Sequence, residues 1–527
     1  MITDRRLRWA LRHSLAVWLA TTALGVVPAY AIDGTWLGNS GTPTEWLDPA
    51  NWTSNPDLPD GTATFTNNGA SATVDANGLV IIGAAAFTGA APAYAININD
   101  VFAFNGTGVT SNSAATQTFN VISTLIFQNS SSASAGTGLV TYNNSGSISF
   151  QGTSTAGSAT FTNNGSLEFN NTSTAATATI ANNAVVSFQD ASSAGSAGIT
   201  NNASGTISFN TTSTADSATI GNDGTVTFGN SSTGGTSSAQ LTNNAGGIWN
   251  FNDTSTAGAA NFVNDGDLSF NNTARAGTSD LTNNSIIDFN DGASADHAAI
   301  TNQGGGQITF NNTGTADAAT ITNTLASLSF VDQSTAGTAT INNTGPSSTF
   351  FSGNSSAGSA QITNRDTVSA NAGTIFSGSA TASSAAIVND LGGTTAFNDQ
   401  STAGTAVITN KATDGVTVGG ILTFGSFGGT DTSSAGDATI VNEAGAFGLG
   451  SGGFTLFQAA STADAATVTT NDGAVVAFFD SASGGTARFI TNAGGSFDIS
   501  QLTAAGTTAG SIEGAGTFYL GDKELTV

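Results

Sequence analysis

The sequence predicts an all-β chain folded as a parallel β-solenoid, and three observations predict it. The first is a row of Asn residues at intervals near twenty: Asn163, Asn182, Asn201, Asn222, Asn243, Asn264, Asn283, Asn302, Asn323, Asn343, Asn364, Asn389, Asn410, Asn442, Asn471 and Asn492. The second is a Phe row in step with it: Phe150, Phe169, Phe188, Phe209, Phe228, Phe251, Phe270, Phe289, Phe310, Phe330 and Phe350. The third is that both rows close short segments in which apolar and polar residues alternate. A unit this short cannot bury its own apolar face, so a fixed short period implies a stacked array. About 20 residues per coil, in two strands and a shorter third edge, suits a right-handed, three-faced solenoid. A left-handed solenoid is the alternative, but it usually keeps stricter periods than the spacings of 19 to 23 residues found here.

The elements follow in chain order. Residues 1–31 have the layout of a secretory signal peptide: Arg5, Arg6, Arg8 and Arg12, an apolar stretch from Leu15 to Val27, and a small-x-small site at Ala29-Tyr30-Ala31. A membrane anchor is the competing reading, but the stretch is short for a span and ends at Pro28. Cleavage after Ala31 removes four Arg and Asp4, leaving five basic and 34 acidic residues, a net charge of −29. No later segment is long and apolar enough to cross a bilayer as a helix. An exported, strongly acidic chain is expected. Such a chain disfavours nucleic acid and anionic lipid, which need clustered Lys and Arg.

Residues 32–120 are expected to cap the array. They hold Trp36, Trp46, Trp52 and most of the prolines, and a terminal coil would otherwise expose its ladder edge. An aromatic carbohydrate-binding surface is the functional alternative for the same residues. Residues 121–502 form the repetitive solenoid and 503–527 a C-terminal coil or junction. Only 8 % of the chain is charged, which by itself would suit disorder, yet the 32 Phe recur in register, which disorder has no reason to maintain.

Each repeat contains two strands. The first reads Ala-x-apolar, as in Ala178-Thr179-Ile180 and Ala319-Thr320-Ile321; the second reads apolar-x-Phe, as in Leu167-Glu168-Phe169 and Ile308-Thr309-Phe310. Period-two alternation places both apolar members inward. A turn of the type Thr-Asn-Asn-x-Gly joins them (Thr162 to Gly165), and Asn and Gly are expected to bend the chain there by adopting positive φ. The second strand is followed by a Ser-Thr-Ala step, as in Ser173-Thr174-Ala175, whose Ala fits a tight corner. Coils stacked at roughly 4.8 Å make the array about 100 Å long, with the Phe row as an internal aromatic stack and the Asn row as a ladder of amides. The Phe spacings from Phe127 and from Phe228 follow nearly the same series, which suggests duplication of a block of about 100 residues. Beyond Phe350 the spacing loosens at Phe376, Phe397 and Phe424, and insertions are expected around Gly415–Gly429 and Ala444–Gly453.

Three stretches resemble the passenger region of a bacterial autotransporter of the type V secretion class. They are Gly34-Thr35-Trp36-Leu37-Gly38 with Trp46-Leu47-Asp48-Pro49-Ala50-Asn51-Trp52, the Thr-Gln-Thr-Phe-Asn-Val step at 116–121, and the run from Ser511 to Gly521. The resemblance covers nearly all of the mature chain, rests on repeat style, and includes no catalytic signature. It implies a right-handed β-helix displayed at the surface of a Gram-negative cell or released from it, serving adhesion or aggregation. Expected partners are host or bacterial surface molecules or polysaccharide. The family carries a C-terminal translocator barrel, and none is read in the stretch from Asn492 to Val527.

Chemistry is sparse. His297 is the one His left in the mature chain and reads as a solvent-facing substitution within a repeat. Without Cys or a His cluster, no zinc site is expected, and no cofactor is implied. The basic residues Arg275, Arg365, Lys411, Arg488 and Lys523 are dispersed, and acids such as Asp223, Asp265, Asp332 and Asp399 fall at turns, where weak Ca²⁺ binding is the functional alternative to capping. An ice-binding reading needs Thr-x-Thr in most coils; Thr160/Thr162 and Thr177/Thr179 fit, while Gly198 and Asn261 interrupt the row. The Asn-x-Ser/Thr triplets are read as turn composition. The expectation is a non-catalytic structural or adhesion protein. A carbohydrate-active β-helix, a lyase or hydrolase using carboxylates in 411–460, is the alternative, marked by three or more converging acids with an Arg.

Overall fold

The computed structural model describes residues 31–366, 372–413, 418–445 and 452–527. The chain winds through coil after coil of about 21 residues, and each strand pairs in parallel with its counterparts in neighbouring coils, the terminal strands on one edge only. The sole helical turn among the described residues is the 3-10 turn Pro49–Asn51. The proposed signal peptide falls almost wholly outside the described residues.

Two sheets run the length of the molecule. One has 21 strands, from Thr73–Ala76 to Ser511–Glu513, and carries the Asn row at its strand ends. The other has 24 strands, from Gly34–Thr35 to Thr517–Tyr519, and carries the Phe row. Register is set by side-chain identity. Phe161 faces Ile180 and Asn163 faces Asn182 in the first sheet, while Leu167 faces Val186 and Phe169 faces Phe188 in the second. A one-residue slip would turn every Phe and Asn outward, so the alternation holds the register. The third face is a file of single bridges, Thr155 to Thr174 to Ser193 and onward to Ser483.

The interior is solid. Leu167, Phe169, Ala175, Ala178 and Ile180 all lie at or near zero exposure, and the pattern repeats coil by coil. In the Ser-Thr-Ala step, Ser173 and Ala175 point inward, and Thr174 points outward to accept a bond from the Ala176 amide at 3.0 Å. Ala176 sits at φ +53°, so the Thr hydroxyl caps a left-handed corner. The other corner follows the Phe strand, where Asn171, Asp190, Asn230 and Asp253 sit at φ +54° to +58°.

Several expectations need correction. The Asn-Asn-Gly turn does not bend through positive φ in its short form: Asn163, Asn164 and Gly165 are all absent from the left-handed region among the described residues. Gly165 is favoured by crowding, since a Cβ there would lie 2.2 Å from the Gly146 carbonyl oxygen one coil earlier, although Ala184 and Ser285 fill the same place in other coils. Positive φ enters this turn only where it is lengthened, as at Gly246, Gly305 and Leu325.

Phe350 does not belong to the Phe stack. Ser348–Phe351 pairs so that Phe351 faces Phe330 and Phe376, which leaves Phe350 on the outer surface. The lengthened turn Gly345-Pro346-Ser347 shifts the strand by one residue, and period two does the rest. Asn471 and Asn492 leave the Asn row without any shift of register, because Thr stands where the row's Asn would be. Thr470 faces Asn442 and Thr491 faces Thr470, both in the inward position, and the two Asn bond to each other on the exterior at 2.8 Å. The span Gly415–Gly429 is not one insertion, because it contains the strand Ile421–Phe424, paired on both edges. Residues 414–417 and 446–451, which belong to the two anticipated insertions, lie outside the described residues.

Candidate functional site

The axial rows are the most organised chemical feature of the molecule. From Asn144 to Asn442 each Asn Nδ2 donates to the Oδ1 of its counterpart in the next coil, at 2.7–3.0 Å. The second amide proton generally reaches a backbone carbonyl of that coil, as from Asn163 to Val185 O at 2.8 Å. The Oδ1 of Asn222 also accepts the Gly224 amide at 3.1 Å, which holds the short Asn222-Asp223-Gly224 turn. A buried primary amide thereby uses its donors and its acceptor, as burial without penalty requires. The ladder residues expected from the sequence, Asn163 through Asn343, all take this place. Asn144, at the start, was missed because its strand, Val140–Asn144, reads Tyr-Asn-Asn instead of Ile-Thr-Asn.

The Phe row stacks as expected. From Phe127 to Phe478 adjacent ring centroids are 4.4–4.9 Å apart and the planes lie within 20° of parallel. Phe150, Phe169, Phe188, Phe209, Phe228, Phe270, Phe289, Phe310 and Phe330 are fully buried members. One inward aliphatic position is taken by Trp249, whose buried Nε1 has no hydrogen-bond partner. Nothing in the structure explains that choice.

At the amino end Trp36, Trp46 and Trp52 are at most 1 % exposed and pack edge-on, with centroids 4.8 and 5.0 Å apart. They fill the interior, so they offer no aromatic surface to a sugar ring. Asp48 caps the adjacent 3-10 turn. Hydroxyls of Ser40 and Thr42 and the Ala50 amide hold its carboxyl below the usual range.

The turn carboxylates are engaged in the fold. Asp190 Oδ2 accepts the Asn171 amide at 2.9 Å, Asp253 Oδ2 the Asn230 amide at 2.8 Å, and Asp399 Oδ2 the Gly378 amide at 2.8 Å, each from the coil before. Asp332 does the same for Asn312 at 3.2 Å. Asp223 and Asp265 accept the side-chain amides of Asn244 and Asn284 at 2.8 Å. Among the described residues no three His, Cys, Asp or Glu converge where they could hold a metal ion. Along 411–413, 418–445 and 452–460, the described part of the stretch singled out for a carbohydrate-active site, no ion pair joins an acid to an Arg.

His297 is exposed and bonds through Nδ1 to Asp296, which also lies 3.7 Å from Arg275. Arg488 and Glu513 form a two-pronged pair at 2.7 Å that lowers the Glu513 carboxyl. The outward Thr of the third face are committed to capping amides, as Thr174 is, and on the Asn sheet Gly198 and Asn261 break the row. No described helix is long and apolar enough to cross a membrane. No protein family, curated protein or solved structure matches the chain.

Proposed function

We propose that the chain is an exported, non-catalytic scaffold of the autotransporter passenger type that presents an extended surface for adhesion or cell–cell contact at a Gram-negative cell. The observation that carries this reading is the commitment of polar side chains to axial repetition. The Asn amides donate to the next coil, the turn carboxylates cited above accept from the coil before, and the outward Thr of the third face cap their own turns. A carboxylate acting as acid, base or nucleophile needs an oxygen directed at substrate; these carboxylates direct theirs at backbone amides. The signal-peptide layout of residues 1–31 and the acidity of the mature chain support export and a soluble, extended product.

Expressing residues 1–527 in a Gram-negative host and sequencing the exported product tests the first half. Ile32 is the expected amino terminus. Beads coated with the purified product are expected to bind or clump bacterial or epithelial cells more than albumin-coated beads. Retention in the cytoplasm, or coated beads that bind no cell while the product shortens an acidic polysaccharide, would overturn the reading.

A further inference from the structure

The loop after Ile421–Phe424 departs from every other corner of its row. Ser426–Thr430 are inserted between the strand and Asp431, which regains the regular place by accepting the Asp399 amide at 2.7 Å. The loop is pinned at both ends. Asp431 Oδ2 accepts the Ser426 amide at 2.9 Å and the Ser426 hydroxyl, and Gly428 donates to Asp480 Oδ2 at 3.0 Å. Asp480 belongs two coils further on and already accepts the Ala459 amide, so the loop crosses one whole coil to reach it. At its tip Phe427 is 73 % exposed, the most exposed large apolar side chain among the described residues. Its ring stands edge-on to Phe479, 6.1 Å away. Phe479 lies at a register shift in Val475–Asp480, between Ala477 and Phe479, which turns a second ring toward the corner.

We propose that Phe427 and Phe479, flanked by Asp399, Asp431 and Asp480, form a docking point for an Arg- or Lys-bearing segment of a protein partner. Three considerations select that chemistry. An exposed aromatic face attracts a cation through its quadrupole, and Arg most of all. Among the described residues the three flanking carboxylates accept amides and a hydroxyl but pair with no cation, so no side chain cancels their net charge. The net charge of −29 steers a basic partner toward the molecule and repels uronic acids, nucleic acid and anionic lipid. A neutral sugar could stack on the rings but would gain nothing from the charge. The inference does not depend on the adhesion reading, since a scaffold binding no cell could carry the same site.

Calorimetric titration of residues 32–527 with an (Arg-Gly)4 peptide tests it, with cellohexaose and a (Glu-Gly)4 peptide alongside. Binding of the Arg peptide that weakens as salt rises is expected. Phe427→Ala should weaken it roughly fivefold without changing the charge of the protein, and Phe427→Trp should preserve or tighten it. The ring is mostly exposed, so far-UV dichroism should remain unchanged in both variants. Arg-peptide binding that is indifferent to Phe427→Ala, or Phe427-dependent binding of cellohexaose without Arg-peptide binding, would overturn the proposal.

Discussion

Asn243 illustrates what one ladder residue contributes. It accepts from Asn222 at 2.9 Å, donates to Asn264 at 2.9 Å and reaches the Asp267 carbonyl at 3.1 Å, with its own side chain fully buried. Asn243→Ala strands a donor on one side and acceptors on the other, with an expected loss of about 2–4 kcal/mol in urea unfolding. Adjacent Phe residues give a sharper test. Phe351→Ala should cost about 3–5 kcal/mol because it opens a gap in the stack, whereas Phe350→Ser should stay within about 0.5 kcal/mol. Equal effects would refute the register given above. Asp288 tests charge on the outer face. Partial burial raises its carboxyl, a bond from Thr309 lowers it and the nearby Asp267 raises it further, for a net increase. The folded protein therefore disfavours ionised Asp288 above that raised pKa, and the penalty fades as pH falls through it toward the unfolded value of about 3.9. Asp288→Asn should raise the melting temperature at pH 7 and make no difference by pH 3.

The strands were legible as elements because alternation and a terminal Asn or Phe recur in each coil, and no helical period competes with them. Turns were less legible. Asn-Asn-Gly suggests positive φ, but the short turn is held by a side-chain amide and by the closeness of the preceding coil; neither can be read from one repeat. The Asn row was followed too far for a different reason. Spacing alone admits Asn471, whereas the alternation Ala466, Val468, Thr470 places Thr470 inward and leaves the Asn one residue beyond the row. At Thr470 the ladder ends with Asn442 Nδ2 and Thr470 Oγ1 both buried and without a partner. Thr470→Asn places an acceptor opposite Asn442 and should stabilise the protein by about 1 kcal/mol in the same urea assay. A loss of stability would mean that this coil is too narrow for an amide.

At the scale of the molecule, strand pairing joins each coil to its neighbours, and apart from the Phe427 loop the fold is a one-dimensional stack. Small-angle scattering of residues 32–527 should report a stiff rod on the order of 100 Å long. Because the net charge of −29 carried by residues 32–527 repels itself along the rod, 0.5 M salt should raise the melting temperature of that chain; a lower one would show that the exposed ion pairs outweigh that repulsion. The sequence alone determined the fold class, the length of a coil and nearly all members of both inner rows, because a solenoid repeats one local solution and period two needs no distant information. Only the tertiary structure decided which of two adjacent residues faces inward after a lengthened turn, that the turn carboxylates serve the preceding coil, and that Phe427 is held out from the surface by an Asp two coils away. Each of these depends on stacking between coils, where residues far apart in sequence compete for the same space and the same hydrogen bonds.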